Sequence, residues 1–264
     1  YLEPNSFPAL DYYKKRISRL IPPLFLMVML TCCVMTLTHS RQMIGIREQI
    51  LSIFLGYNNW WQIAQDASYF SRLTGASPFT HLWFLGVEMQ FYLIWPLLFY
   101  VYKKIFRLPG RKRACFFFLI PAFLSLAAMI CLYHPGSDPS RVYYGTDTMG
   151  FTLFLGMFLG ALRHNYPVLC TPVSRKRQLP VFSGMFGITL LLFLLVKGSN
   201  SFLYLGGMFV ISVFFAVMIL FTENQRTLAQ ELPLASQTAL LGKYSYNIYL
   251  WHYPVIVLLL TAFH

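Results

Sequence analysis

Charge is what this sequence lacks. Only 11% of its 264 residues are Asp, Glu, Lys or Arg, against about 25% in ordinary soluble domains. Acidic side chains are scarcest, nine Asp+Glu against 21 Lys+Arg. These deficits disfavour a disordered chain and an ordinary soluble enzyme. Metal-ligand spacing is missing too. The five cysteines (Cys32, Cys33, Cys115, Cys131, Cys170) lie in or beside apolar runs and form neither a zinc pattern nor a disulfide framework. A phosphate-binding loop, an internal repeat and a secretory cleavage site are also absent. What is present is apolar: 57% hydrophobic and 18% aromatic residues. The class that remains is all-α, a polytopic membrane helical bundle. The apolar runs do not alternate as the strands of a membrane barrel would.

A helix needs about 20 residues to cross a hydrocarbon core of about 30 Å. Seven stretches approach that: Leu20–Leu37, Leu82–Tyr102, Ala114–Tyr133, Val142–Leu162, Leu179–Val196, Phe202–Phe221 and Tyr244–Phe263. An eighth, Ile46–Gln62, holds Arg47, Glu48, Gln49, Asn58 and Asn59. Loop charge decides against that segment as a span. Cytoplasmic loops are enriched in Lys and Arg. With seven spans, the clusters Lys14–Arg19, Lys103–Arg113 and Arg163–Arg177, with Arg226 and Lys243, fall on one side; Arg41, Arg47, Arg72, Arg141 and Lys197 fall on the other. A crossing at Ile46–Gln62 would put the Lys103–Arg113 cluster outside. That segment therefore reads as interfacial or re-entrant, with Trp60 and Trp61 at the headgroup level. The N-terminus is expected on the cytoplasmic side and the C-terminus outside. The net charge of +12 then reads as a topology signal: acids Glu3, Asp11, Glu223 and Glu231 accompany the inner cations, and Glu48, Asp66, Asp138 and Asp147 the outer ones. Nucleic acid is not an expected partner.

An ionisable residue inside a span is expensive and marks a candidate site. Glu88 is the clearest case. His81, Glu88 and Tyr92 are spaced by seven and four residues, which predicts one helix face. Such a face can relay protons or orient a hydroxyl; the alternative is a buried Glu that fixes helix packing. His252 falls near the middle of the last run. It can hydrogen-bond, transfer protons or serve as a purely structural group. No second His or Cys stands at ligand spacing, so no metal is expected. Asp147 opens the fourth run, where a helix cap would serve equally well. Arg16 and Arg19 stand one turn apart at the start of the first run. They read as a topology anchor or as a binding site for a phosphorylated ligand.

Four blocks together resemble the integral-membrane acyltransferase family 3, which contains O-acetyltransferases of peptidoglycan, lipopolysaccharide and other surface glycans. They are Tyr13-Lys-Lys-Arg16-Ile-Ser-Arg19-Leu-Ile-Pro22, the stretch Ser77–Pro96 with His81-Leu-Trp83-Phe-Leu-Gly-Val-Glu88-Met-Gln90-Phe-Tyr92, the stretch Tyr144–Thr148, and Tyr244–Pro254 with Tyr-Leu-Trp-His252-Tyr-Pro. The resemblance implies a single domain over 1–264, holding helices three to nine of a roughly ten-helix fold. Two N-terminal helices and one C-terminal helix would lie outside the chain, and with them the family's catalytic His. It further implies acetyl transfer from cytoplasmic acetyl-CoA to a hydroxyl of a surface glycan. Arg16 and Arg19 would hold the donor. Glu88, His81 and His252 are the implied catalytic candidates; Tyr92, Gln90, Trp83 and Asp147 are the implied substrate contacts. A soluble partner domain is a further implied partner. Four positions depart from the family pattern: Phe84, Gly86, Met89 and Met149. A polysaccharide transporter, or a membrane sensor with the same fold, remains an alternative reading of the buried polar residues.

Overall fold

The structure, a computed structural model, describes residues 9–38, 45–68, 77–106, 112–166, 174–224 and 235–262. Glu3, Arg41, Arg72, Arg107, Arg111, Cys170, Arg226, Glu231 and Phe263 lie outside the described residues. The elements in chain order are α1 (Ala9–Leu37), α2 (Ile46–Phe54), α3 (Asn58–Ala64), α4 (Trp83–Phe106), α5 (Leu119–Leu132), α6 (Ser140–Tyr144), α7 (Thr146–Met149), α8 (Phe151–Asn165), α9 (Arg175–Leu195), α10 (Met208–Asn224) and α11 (Ala235–Ala262). No strand occurs among the described residues, as the all-α expectation requires. By contacts the chain divides into two compact units, one made of Tyr1–Ile105 with Lys243–His264, the other of Phe106–Gly242.

Among the described residues five helical stretches are long and apolar enough to cross a membrane: Ala9–Leu37, Thr80–Lys104, Cys115–Leu132, Lys176–Leu195 and Leu203–Glu223. Seven were expected, and the two shortfalls have local causes. The run Val142–Leu162 is not one helix. Gly145 is extended (φ −64, ψ 131) and separates α6 from α7. The longest remaining piece, α8, has 15 residues, about 22 Å of rise. Helix α11 has 28 residues, ample length, but Lys243, Ser245, Asn247 and His252 lower its apolarity.

In the first unit, α1, α4 and α11 pack around Leu24, Met27 and Val28, with Phe79, Leu82 and Leu250 closing the core. Tyr13 Oη donates to the Leu93 carbonyl at 2.8 Å, and Tyr246 Oη to the Leu20 carbonyl at 3.0 Å. These bonds tie α4 and α11 to α1. Pro22 and Pro23 lie inside α1, as membrane helices tolerate.

The doubtful segment Ile46–Gln62 becomes α2 and α3, of nine and seven residues. Each rises about 14 Å or less, far short of a bilayer core. Gly56 makes the break, with φ +76, a backbone region that disfavours any Cβ. The hairpin turns its polar side chains inward. Gln49, Ser52, Asn58, Asn59 and Gln62 are buried, while Leu51 and Leu55 are exposed. Ser77 Oγ donates to Gln49 Oε1 at 2.5 Å and so fastens the hairpin to the chain entering α4.

The second unit packs α5 against α7 and α8, and α8 against α10. The Phe151 amide donates to Ser125 Oγ at 3.0 Å where α8 begins. Arg163 and Glu223 pair at 2.9 Å between α8 and α10. Tyr133 and Tyr204 stack at 4.9 Å. Tyr133 also donates to Ser201 Oγ at 2.8 Å.

At Gly86 α3 comes close to α4. A Cβ there would meet Asn59 Oδ1 at 3.1 Å and the Asn58 backbone nitrogen at 3.2 Å. Gly86→Leu is expected to overpack this contact and lower stability by about 1–3 kcal/mol. A thermal melt of the detergent-purified protein measures it, with Gly184→Ala, where nothing lies within 4 Å, as the control. An unchanged melting point in Gly86→Leu would contradict the close approach.

Candidate functional site

Three helix faces meet in the first unit around a cavity of about 300 Å³. Helix α1 supplies Arg16 and Arg19, one turn apart. Helix α4 supplies Glu88 and Tyr92, four residues apart. Helix α11 supplies Tyr246 and Tyr249, again one turn apart. Each pair stands at the spacing that stacks side chains on a single face.

The charges inside are held apart rather than paired. Tyr92 Oη donates to Glu88 Oε1. The Arg16 guanidinium lies 4.7 Å from the centre of the Tyr92 ring and 5.5 Å from that of Tyr12. A cation over an aromatic face is attracted by its quadrupole, so Tyr92 holds the arginine with its ring and the carboxylate with its hydroxyl. The ion pairs among the described residues are Arg141–Asp147 and Arg163–Glu223, both elsewhere. Arg16, Arg19 and Glu88 are therefore left to face the cavity with their charges unneutralised by one another. Two guanidinium groups suit phosphate oxygens. A carboxylate bonded to a phenol suits proton exchange with a bound group.

His81 departs from the expected arrangement. It belongs to a 3-10 turn, Thr80–Leu82, just before α4. The change from three to 3.6 residues per turn takes it off the Glu88–Tyr92 face and turns it toward α11. Its ring lies 5.4 Å from Tyr249, 5.2 Å from His252 and 5.2 Å from Tyr253. It is 6% exposed. The Tyr249 hydroxyl donates to the His81 carbonyl at 2.7 Å. His252 Nδ1 lies 2.7 Å from the Tyr249 carbonyl. Two histidines 171 positions apart thus meet, although no sequence spacing connects them. Among the described residues no group of three or more His, Cys, Asp or Glu is arranged to hold a metal.

Gln90, Trp83 and Asp147 do not line the cavity. Gln90 Nε2 donates to the Gly56 carbonyl at 2.8 Å and to Asn59 Oδ1 at 2.9 Å. Trp60 Nε1 donates to Gln90 Oε1 at 3.4 Å. Gln90 lies two residues from Glu88, on another face of α4, and there it straps the α2–α3 hairpin to the helix. Trp83 is buried, edge-on to Phe84 at 5.5 Å. Asp147 belongs to the second unit, where both its oxygens accept from Arg141, at 2.9 and 3.2 Å; it makes no side-chain cap. Sequence reasoning missed Tyr246 and Tyr249. The signal was present, because Tyr246, Tyr249 and His252 recur every three residues along the last helix.

Comparison with known proteins agrees with these blocks. Residues 3–264 match the family model described as an acyltransferase domain. YrhL of Bacillus subtilis, whose name carries a provisional assignment as a peptidoglycan O-acetyltransferase, is 36% identical over 94% of this chain and 39% of its own length. The peptidoglycan O-acetyltransferase OatA of Listeria monocytogenes is 33% identical over 96% of this chain and 41% of its own. The O-acetyltransferase OatA of Staphylococcus aureus is 30% identical over 97% of this chain and 42% of its own. The chain thus spans about two fifths of the length of the curated relatives it matches. No solved structure matches.

Gln90 fastens the α2–α3 hairpin to α4. Gln90→Leu strips buried bonds from Gly56 and Asn59, and each orphaned polar group costs about 1–3 kcal/mol. The melting point of the purified protein is expected to fall, whereas Glu88→Gln is expected to leave it nearly unchanged. Equal melting points for wild type and Gln90→Leu would refute the strap.

Proposed function

The chain belongs to the membrane acyltransferase family whose model it matches over residues 3–264, and from that premise we propose that it is the membrane part of an O-acetyltransferase acting on a cell-wall glycan. In this reading acetyl-CoA is the donor and a sugar hydroxyl the acceptor. The relatives named as peptidoglycan O-acetyltransferases support a peptidoglycan acceptor. The observation that carries the reading is the shared cavity, in which Arg16 and Arg19 stand beside the Glu88–Tyr92 pair.

A coenzyme A thioester carries several phosphate charges at one end and its reactive carbonyl at the other. Arg16 and Arg19 would take the phosphates, bidentately and without loss of charge at any working pH. Arg16 is pre-positioned for this by Tyr12 and Tyr92, which lowers the entropy lost when it engages the donor. Glu88 would hold or return a proton next to the reacting groups, with Tyr92 fixing the direction of its lone pairs. The Lys and Arg around the start of α1 and the end of α4 favour the cytoplasm for that end of the first unit, the compartment that supplies acetyl-CoA. A soluble partner domain, if joined to this chain, would meet the acetylated product on the opposite side.

The test uses the full-length protein in cells. Glu88→Gln and Arg16→Ala are expected to abolish glycan O-acetylation, measured by mass spectrometry of released wall fragments, at normal membrane abundance. In purified protein Arg16→Ala is expected to weaken acetyl-CoA binding about 10–100-fold, the loss of one charge-assisted contact. Normal acetylation in both variants would sink the assignment. Export of unmodified glycan without ester formation would favour a transporter instead.

A further inference from the structure

The cavity has two unlike ends. The helices that wall it advance along it together: α1 from Arg16 to Leu20, α4 from Tyr92 back to Phe84, and α11 from Ser245 to Tyr249. The Arg16–Tyr92 contact marks the first end. The Tyr246 bond to the Leu20 carbonyl marks the middle. The Tyr249 bond to the carbonyl of His81, just ahead of α4, marks the last. The first end is cationic. The last is walled by Phe84 and Tyr249, neither of which carries a charge. Phe84, Glu88 and Tyr92 share one face of α4 at intervals of four residues. About 6 Å of rise therefore separates the aromatic wall from the carboxylate, and about 12 Å separates it from Tyr92.

Both rings are held before any ligand arrives. Tyr249 commits its hydroxyl hydrogen to the His81 carbonyl at 2.7 Å, so what it offers the cavity is its ring. Phe84 stands edge-on to Trp83 at 5.5 Å, and Trp83 is buried. Rings fixed in advance lose little freedom when a ligand docks. An aromatic face is negative in its charge distribution and attracts weakly positive C–H groups. A pyranose ring suits such a wall. Its axial C–H bonds make one apolar face, while its hydroxyls stay at the rim, where Glu88 lies one turn away. With the donor phosphates read onto Arg16 and Arg19, the aromatic end is the part of the cavity left for an acceptor.

We propose that Phe84 and Tyr249 form the acceptor subsite by stacking on the C–H face of a pyranose ring, with Phe84 as the specificity-determining residue. The proposal rests on the acyl-transfer reading. Phe84 is also one of the positions that the resemblance marks as departures from the family pattern, as expected of a residue that selects the acceptor.

The experiment uses full-length protein in lipid nanodiscs, with acetyl-CoA and a soluble glycan fragment built of pyranose rings. Phe84→Leu keeps an apolar side chain and removes the ring. Its KM for the glycan fragment is expected to rise about 3–10-fold, the worth of one ring contact. Its kcat and its KM for acetyl-CoA are expected to stay within about twofold of wild type. Phe84→Tyr, which keeps the ring, is expected to restore the wild-type KM for the fragment. An unchanged fragment KM in Phe84→Leu would overturn the subsite and leave the acyl-transfer reading intact. A parallel rise in KM for acetyl-CoA would also overturn it, because the wall would then be structural or belong to the donor. If the wild type forms no ester, the acyl-transfer reading falls and the subsite with it. Saturation-transfer NMR on the wild type needs no variant to fold. Irradiation of the protein's aromatic protons is expected to label the axial ring protons of the bound fragment most strongly, and uniform labelling would overturn the subsite.

Discussion

A carboxylate inside an apolar helix bundle has to be solvated by something, and in this protein that something is Tyr92. Removing an ion from water is expensive unless polar groups replace the water. Glu88 is held by the Tyr92 hydroxyl, and Tyr92 at the same time gives its ring face to the Arg16 guanidinium. Direct pairing of Arg16 with Glu88 would neutralise both charges and leave little for a ligand. The phenol keeps them adjacent but separate. Much of the first unit follows from this arrangement. The α1–α4 contact is tied by Tyr13, the α1–α11 contact by Tyr246, and the back of α4 by Gln90. Each of these bonds fixes a helix that carries one wall of the cavity.

The two faces of α4 divide the labour. Glu88 and Tyr92 look into the cavity. Gln90, Gly86 and Met89 look toward the hairpin of α2 and α3: Gly86 allows Asn58 and Asn59 to approach, and Met89 lies against Gly56. Gly86 and Met89 are two of the positions that the resemblance marks as departures from the family pattern. Both touch the hairpin, but Met89 also lines a second cavity with Arg16 and Tyr92, and Phe84, a third such position, lines the first.

The sequence was most legible where a physical rule acts locally. The Glu88–Tyr92 face follows from a spacing of four, and the failure of Ile46–Gln62 to span follows from polar residues that a lipid core cannot hold. Glycine did the breaking there, at Gly56. Less was legible where tertiary pairing overrode local pattern. Gln90 shares a motif with Glu88, and motif membership says nothing about which side of the helix a residue serves. His81 was expected on the Glu88 face, but the 3-10 turn redirects it to α11. Asp147 was grouped with the site by its block, whereas its carboxylate is taken by Arg141 in the other unit. The meeting of His81 with His252 spans most of the chain, and no periodicity encodes it.

The proposed function requires the cavity that joins the arginines of α1 to the carboxylate of α4 to seat an acyl donor. A cryo-EM reconstruction of the full-length protein, saturated with a non-hydrolysable acetyl-CoA analogue, addresses this directly. The account predicts phosphate density against Arg16 and Arg19, with the thioester end of the analogue extending into the space beside Glu88 and Tyr92. A fully occupied analogue bound elsewhere, with Arg16, Arg19, Glu88 and Tyr92 free of it, would contradict it.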